Sequence, residues 1–366
     1  MITTMTPTLI RLASLVLACG LGAILLHLSL ALADGWASRA AAGKGAVMAL
    51  LGMAVSLPSA LVFNALALGV ASTLLAAATK AFLGAAMSEE AGRLLALFLL
   101  ARMMITRDPR EYFIGVVAAG LSFGVVENLL YLGATDSPLV LAAVRGTLTA
   151  PSHLCYALFS GLGVWRFSRE SASVVFIGGM AGLAFLMHGA FDFSIMAWPT
   201  PEHWSSSDLS PATLVGIGAV LVIVVVAQCL GALAIIDAFL RRIEIARPHD
   251  PELAVRKPLS NIWDRFGFAM IGAGGLAVVA VAVAAGIAPM KALMSAPMCF
   301  ALAGSVILWG IGIRRLAARQ RGTTWDLQRA AGMPGRGARV MGAGVELERQ
   351  AIRDRRVSTP KGMSAC

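Results

Sequence analysis

The sequence has 366 residues, 58% hydrophobic and only 14% charged, and carries a net charge of +10. An average soluble domain is about 45–50% apolar and about 25% charged. Here the excess collects in long uncharged blocks, which excludes a soluble globular chain, and the short apolar–polar alternation of a membrane β-barrel is absent. The positive charge lies mostly in the connections between blocks and in the tail, the pattern of cytoplasmic loops, which argues against nucleic acid as a partner.

Apolar runs of about 20 residues cross a bilayer as helices. Such runs fall at 9–33, 46–70, 73–101, 112–134, 138–163, 173–198, 211–237, 268–288 and 293–313. They predict an all-α fold, a polytopic transmembrane helical bundle of eight or nine spans. The first run has the look of a signal peptide, since Arg11 precedes it and "ALAD" (Ala31–Asp34) fits a small-residue cleavage site. Its apolar stretch is longer than a usual signal core, which favours an uncleaved helix. The stretch from Ala46 to Ala101 is too long for one span and short for three.

Further along, the connections alternate in charge. "RMMITRDPRE", "WRFSRES" and "FLRRIEIARPHDPELAVRKPLSNIWDRF" are basic, whereas "GATDSP" and "PTPEHWSSSDLS" hold acidic residues and no Lys or Arg. The alternation puts Arg107, Arg169 and the C-terminus in the cytoplasm and Trp204 outside. The expected division is a membrane domain over 1–316, with a catalytic core at about 79–200, and a basic cytoplasmic tail over 317–366. That tail suits anionic lipid headgroups.

The cysteines (Cys19, Cys155, Cys229, Cys299 and Cys366) form no CxxC pair, and all but Cys366 lie in apolar blocks as small core residues. His27 stands without charged company, and Asp237 marks a span end. The tail's "GRGARVMGAG" follows no strand and is a poor phosphate loop, and no GxSxG or HExxH occurs. Ser88 and Ser152 are neighbours of polar residues, with no nucleophile arrangement around them.

The remaining intramembrane polar residues are concentrated between residues 89 and 192: Glu89, Glu90, Arg93, Glu127, Asn128, Arg145, His153, His188 and Asp192. At 1.5 Å rise per residue, Glu89, Glu127, His153 and His188 lie about 15–22 Å from the cytoplasmic ends of their spans. The hydrocarbon layer is about 30 Å thick, so four successive spans bring ionisable groups to one central layer. Residues three or four apart share a helix face, which aligns Glu89 and Glu90 with Arg93, Phe123 with Glu127 and Tyr131, Arg145 with Thr149 and His153, and His188 with Asp192. Imidazole and carboxylate are the usual ligands of a catalytic Zn²⁺ with one position open for water, a nearby carboxylate takes that water's proton, and an Asn or Arg steadies the oxyanion.

Four stretches in order sharpen this reading. "SEEAGRLL", "FGVVENLLY", "RGTLTAPSHLCYALFSG" and "HGAFDF" resemble the motifs of the PrsW-type intramembrane proteases, which belong with the CAAX-protease and bacteriocin-processing superfamily. The resemblance covers about residues 85–195. It implies a helical membrane protease that cuts membrane-anchored proteins within or near the bilayer, an anti-sigma factor among them. By motif, Glu89 and Glu90 match the glutamate pair, Glu127 and Asn128 the second motif, His153 the third and His188 the fourth. Arg93 stands where many members have Lys, a swap that keeps charge and changes hydrogen-bond geometry.

The combined expectation is a multi-pass peptidase of the inner (cell) membrane, with the lipid bilayer and a membrane-anchored protein as partners and Zn²⁺ as cofactor. His153, His188 and Glu127 are the expected metal ligands. Glu89 or Glu90 is the general base, Asn128 and Arg145 bind the oxyanion or substrate carbonyl, and Arg93 and Asp192 support the ligands from behind. The rival readings are a proton- or ion-coupled transporter or channel built on the same residues and an inactive scaffold that binds partners in the same groove.

Overall fold

Alanine and leucine, strong helix formers, fill each apolar block, and a helix satisfies its own backbone hydrogen bonds in lipid. The computed structural model follows that logic, describing residues 11–16, 19–20, 36–67, 73–103, 108–133, 142, 145–197, 209–246, 264, 303–304, 306–315 and 318. Every element among them is helical. In chain order these are α1 (Trp36–Ala67), α2 (Thr73–Ala78), a π-helical stretch (Thr79–Met87) that continues into α3 (Ser88–Met103), α4 (Pro109–Gly133), a π-helical turn (Arg145–Thr149) that leads into α5 (Ala150–Arg169), α6 (Val174–Met196) and α7 (Pro211–Ala246).

Among the described residues, four helices are long and apolar enough to cross a membrane: α1 over Arg39–Pro58, α4 over Pro109–Leu132, α6 over Val174–Met196 and α7 over Ala212–Phe239. The helix α3 is 16 residues long because the wider π-helical stretch divides it from α2. The expected spans over 9–33 and 268–288 lie outside the described residues apart from 11–16 and 19–20, and of 293–313 residues 303–304 and 306–313 are helical. His27, Arg107, Trp204, Cys299 and Cys366 are also outside, as is the tail apart from residue 318.

Helix ends differ from the apolar blocks for simple reasons. The helix α1 begins at Trp36, ahead of the block at 46, because "ASRAAAGK" is alanine-rich. Likewise α5 and α7 run on to Arg169 and Ala246. Arginine is a good helix former and is favoured near a helix C-terminus.

The bundle is organised around α5, whose residues from Ala150 to Trp165 are all buried. It packs against α3, α4, α6 and α7, while α1 covers α3 and α4, and the π-helical stretch lies on α6. Membrane helices associate through close backbone approach at small residues. A Cβ on Gly52 would meet the carbonyl oxygen of Gly92 at 2.9 Å, which locks α1 against α3. A Cβ on Gly124 would meet the His153 ring at 3.2 Å, so α4 passes directly over that imidazole.

Arginines gather at one end. There Arg242 grips Glu170 with two hydrogen bonds of 2.7 and 3.1 Å, Arg166 adds one of 3.1 Å, and Arg169 donates to the carbonyl of Ala101 at 3.1 Å. The C-terminal ends of α3, α5 and α7 are thereby tied together.

Candidate active site

An ionised side chain alone at the bilayer centre costs roughly 2.5–3.5 kcal/mol, so each of these groups needs partners. Glu89, Glu90 and Arg93 leave the first turns of α3, Glu127 and Asn128 come from α4, Arg145 from the turn before α5, His153 from α5, and His188 and Asp192 from α6. The fold brings all nine into one cluster.

Its centre is His153, 1% exposed. Nε2 of His153 lies 2.5 Å from Oε2 of Glu127, and Arg93 donates from Nη2 to Nδ1 at 2.8 Å. An arginine only donates, so Nδ1 is the acceptor and the ring proton sits on Nε2, directed at Glu127. The ring also packs on Phe123, with centres 5.1 Å apart.

His188, also buried, receives carboxylates on both sides. Nδ1 is 2.7 Å from Oε1 of Glu90; Nε2 is 3.2 Å from Oδ2 of Asp192 and 3.8 Å from Oε2 of Glu89. Tyr156 lies flat against it, with ring centres 4.6 Å apart and 13° between the planes.

Arg93 is 2% exposed. Besides His153 it hydrogen-bonds Oε1 of Glu90, and it stands 4.0 Å from Oε2 of Glu89. Its guanidinium caps the Phe123 ring at 4.6 Å. Glu90 Oε1 is thus shared between Arg93 and His188.

Arg145 braces the opposite side. Nη2 meets Oε1 of Glu127 at 2.5 Å, Nε donates to Oδ1 of Asn128 at 3.0 Å, and the guanidinium sits over Tyr131 at 3.9 Å. The Asn128 amide reaches back to the Arg145 carbonyl at 3.5 Å.

Glu89 is the least constrained of the acids. Its Oε2 is buried and makes no hydrogen bond, as is also true of Glu90 Oε2, but Glu90 is held through Oε1 by Arg93 and His188. Among the described residues, ligand atoms of Glu89, Glu127 and His153 lie within 4.8 Å of one another, a grouping able to hold a metal ion. Four carboxylates and two imidazoles gather round two guanidiniums here, and imidazole and carboxylate are the usual donors to a catalytic metal. The donor types therefore fit a metal, which His153 would take at Nε2 only in the other tautomer, with its Nδ1 lone pair withdrawn from Arg93. The set gathers Glu89 with Glu127 and His153, and places His188 beyond Glu89.

Residues 42–230 match a family model described as PrsW family intramembrane metalloprotease. The chain belongs to the PrsW family. The match covers just over half of the sequence and runs from α1 well into α7. No curated protein and no solved structure matches the chain. As a PrsW-family protein it is a multi-pass membrane peptidase, which implies a metal ion, a membrane setting and a protein substrate.

Two polar residues in contact with this PrsW-family site carry little signal in the sequence. Tyr156 is three residues from His153 on α5, the one spacing that points to it. Gln228, on α7, is a single amide in an apolar block, and only the packing of α7 on α5 brings it near.

Proposed function

We propose that this peptidase is a zinc enzyme of the cell membrane in which Glu89 is the general base, and that it cuts a membrane-anchored protein, an anti-sigma factor being the substrate the motif resemblance implies. The observation that carries the reading is the convergence of Glu89, Glu127 and His153 within 4.8 Å beside His188. His153, His188 and Glu127 would hold the ion. Zinc bound among imidazole and carboxylate supplies an acidified water and polarises the carbonyl under attack.

The residues divide the remaining work. Glu90 is occupied by Arg93 and His188, which leaves Glu89 free to take a proton from the attacking water and pass it to the leaving amine. Arg145 faces the developing oxyanion. Asn128 is fully buried with its side-chain oxygen held by Arg145, so it braces that arginine. Asp192 steadies the His188 ring.

Glu89→Gln keeps the side-chain volume and removes the base. The expected result is loss of cleavage of a membrane-anchored reporter by about 10²–10⁴-fold with zinc content unchanged. Loss of zinc as well would make Glu89 a ligand, and cleavage at the wild-type rate would reject the base. Ion flux in proteoliposomes that depends on Glu89, without cleavage, would instead favour the transporter reading.

The reading includes eight or nine spans within 1–316, a catalytic core at about 79–200 and a cytoplasmic tail over 317–366. Its sidedness is tested at Ser171, exposed in the turn after α5. A cysteine placed there is expected to react with an impermeant reagent only from the cytoplasmic face.

A further inference from the structure

Gln228 is 3% exposed on α7, the most apolar of the span-length helices with a mean hydropathy of 2.9. Its carboxamide is fully engaged. Oε1 accepts from Ser152 Oγ at 2.6 Å, and Nε2 donates to Tyr156 Oη at 2.8 Å and to the Met187 carbonyl at 3.4 Å. Its own carbonyl accepts from Cys155 Sγ at 3.1 Å. Three of these partners sit on α5 and one on α6. Ser152 precedes His153, Met187 precedes His188, and Tyr156 stacks on His188 and meets His153 edge-on with centres 5.8 Å apart.

We propose that Gln228 is a positioning residue that sets the placement of His153 and His188 relative to each other, acting through the Tyr156 ring and the backbone beside His188; this rests on the metallopeptidase reading above. In lipid, apolar side chains give helices no hydrophobic reason to associate, and interhelical hydrogen bonds and close packing decide the geometry. A leucine at 228 would suit the α7 surface better. The amide instead fixes three helices at the level of the two histidines. Without it the Tyr156 hydroxyl loses the Gln228 donor and keeps Ser152 beside it, and the ring that backs His188 is held less firmly. Groups that orient metal-binding histidines from behind matter to both affinity and rate.

The test uses the full-length protein in lipid nanodiscs, with three readouts: zinc affinity by chelator competition, the visible spectrum of the Co²⁺-loaded protein, and kcat and KM on a membrane-anchored reporter. Gln228→Leu is expected to lower zinc affinity and kcat by about 10–100-fold, shift the cobalt bands and leave KM within about twofold. Tyr156→Phe, which removes the hydroxyl alone, is expected to act in the same direction, and the double variant to be no worse than Gln228→Leu. Gln228→Leu with lowered thermal stability but wild-type affinity, spectrum and kcat would make the residue a plain helix clamp and overturn the proposal. Should Gln228→Leu fail to fold, Tyr156→Phe decides: wild-type values there overturn the proposal, and the shifted values uphold it. Wild-type protein that neither binds zinc nor cuts would overturn the metallopeptidase reading itself, an outcome distinct from variants that merely match an active wild type.

Discussion

The imidazoles of His153 and His188 stand edge to face, with ring centres 5.5 Å apart and 84° between their planes. Metal–nitrogen bonds are about 2.0–2.1 Å, so one ion needs a nitrogen of each ring within about 4 Å of the other. A centre separation of 5.5 Å does not by itself put the nitrogens that close, so sharing one ion requires the two side chains to turn from the partners they hold here. The expected outcome is that His153→Ala and His188→Ala each lower bound zinc and abolish cleavage together, measured by metal analysis and reporter cleavage on the same preparation. Loss of cleavage with zinc retained in His188→Ala would assign that ring to proton transfer.

Arg93 behaves differently. Its hydrogen bond to His153 uses the Nδ1 lone pair, whereas a neutral imidazole that gives Nε2 to a metal carries its proton on Nδ1. Arg93 and the metal therefore ask for opposite tautomers. Arg93→Met leaves Glu90 buried without its guanidinium, and breaking a buried ion pair costs about 3–5 kcal/mol. The variant is expected to unfold at a lower temperature and to lose cleavage, without weaker zinc affinity. Weaker zinc binding in a protein of unchanged thermal stability would show that the guanidinium supports the metal site.

The site was legible in the sequence wherever a polar group interrupts an apolar run. Glu89, Glu127, His153 and His188 each do so at matching depth, and depth follows from counting residues. Helix–helix proximity does not. Arg93 meets His153 because Gly52 and Gly124 let α1, α3, α4 and α5 close up, and no periodicity encodes that. The π-helical stretches at Thr79–Met87 and Arg145–Thr149 break the 3.6-residue count just before Glu89 and His153, so the residues on their two sides do not keep one regular α-helical face. Gln228 has no polar neighbour on its own helix face, and its partners belong to α5 and α6.

The Gly52–Gly92 approach gives a prediction about stability. Gly52→Ala sets a methyl 2.9 Å from the Gly92 carbonyl oxygen and 3.3 Å from the Ala96 methyl, so α1 and α3 must part. Overpacking of this kind costs about 1–3 kcal/mol. Gly43→Ala, which meets nothing within 4 Å, is expected to be neutral or slightly stabilising. Thermal unfolding in detergent compares the two, and equal midpoints would refute the tight crossing. Because α3 carries Glu89 and Glu90, cleavage should fall with stability in Gly52→Ala only.

The last prediction concerns pH at the basic end of the bundle, outside the apolar spans. The two-pronged contact from Arg242, aided by the Trp165 indole and Arg166, holds the Glu170 carboxyl below its ordinary value. A carboxylate with a lowered folded-state pKa stabilises the fold above its unfolded value, about 4.3, and that contribution disappears as pH falls through the lower folded value. Glu170 is about one-third exposed, so water and salt screen the pair, and its worth is at most about 1 kcal/mol. Glu170→Gln is therefore expected to unfold slightly below wild type at pH 7, with the gap closing as pH drops below about 4.3 and narrowing in high salt. A gap that stays constant from neutral to acid pH would mean that Glu170 ties α5 to α7 through neutral hydrogen bonds, and its charge would then carry none of the effect.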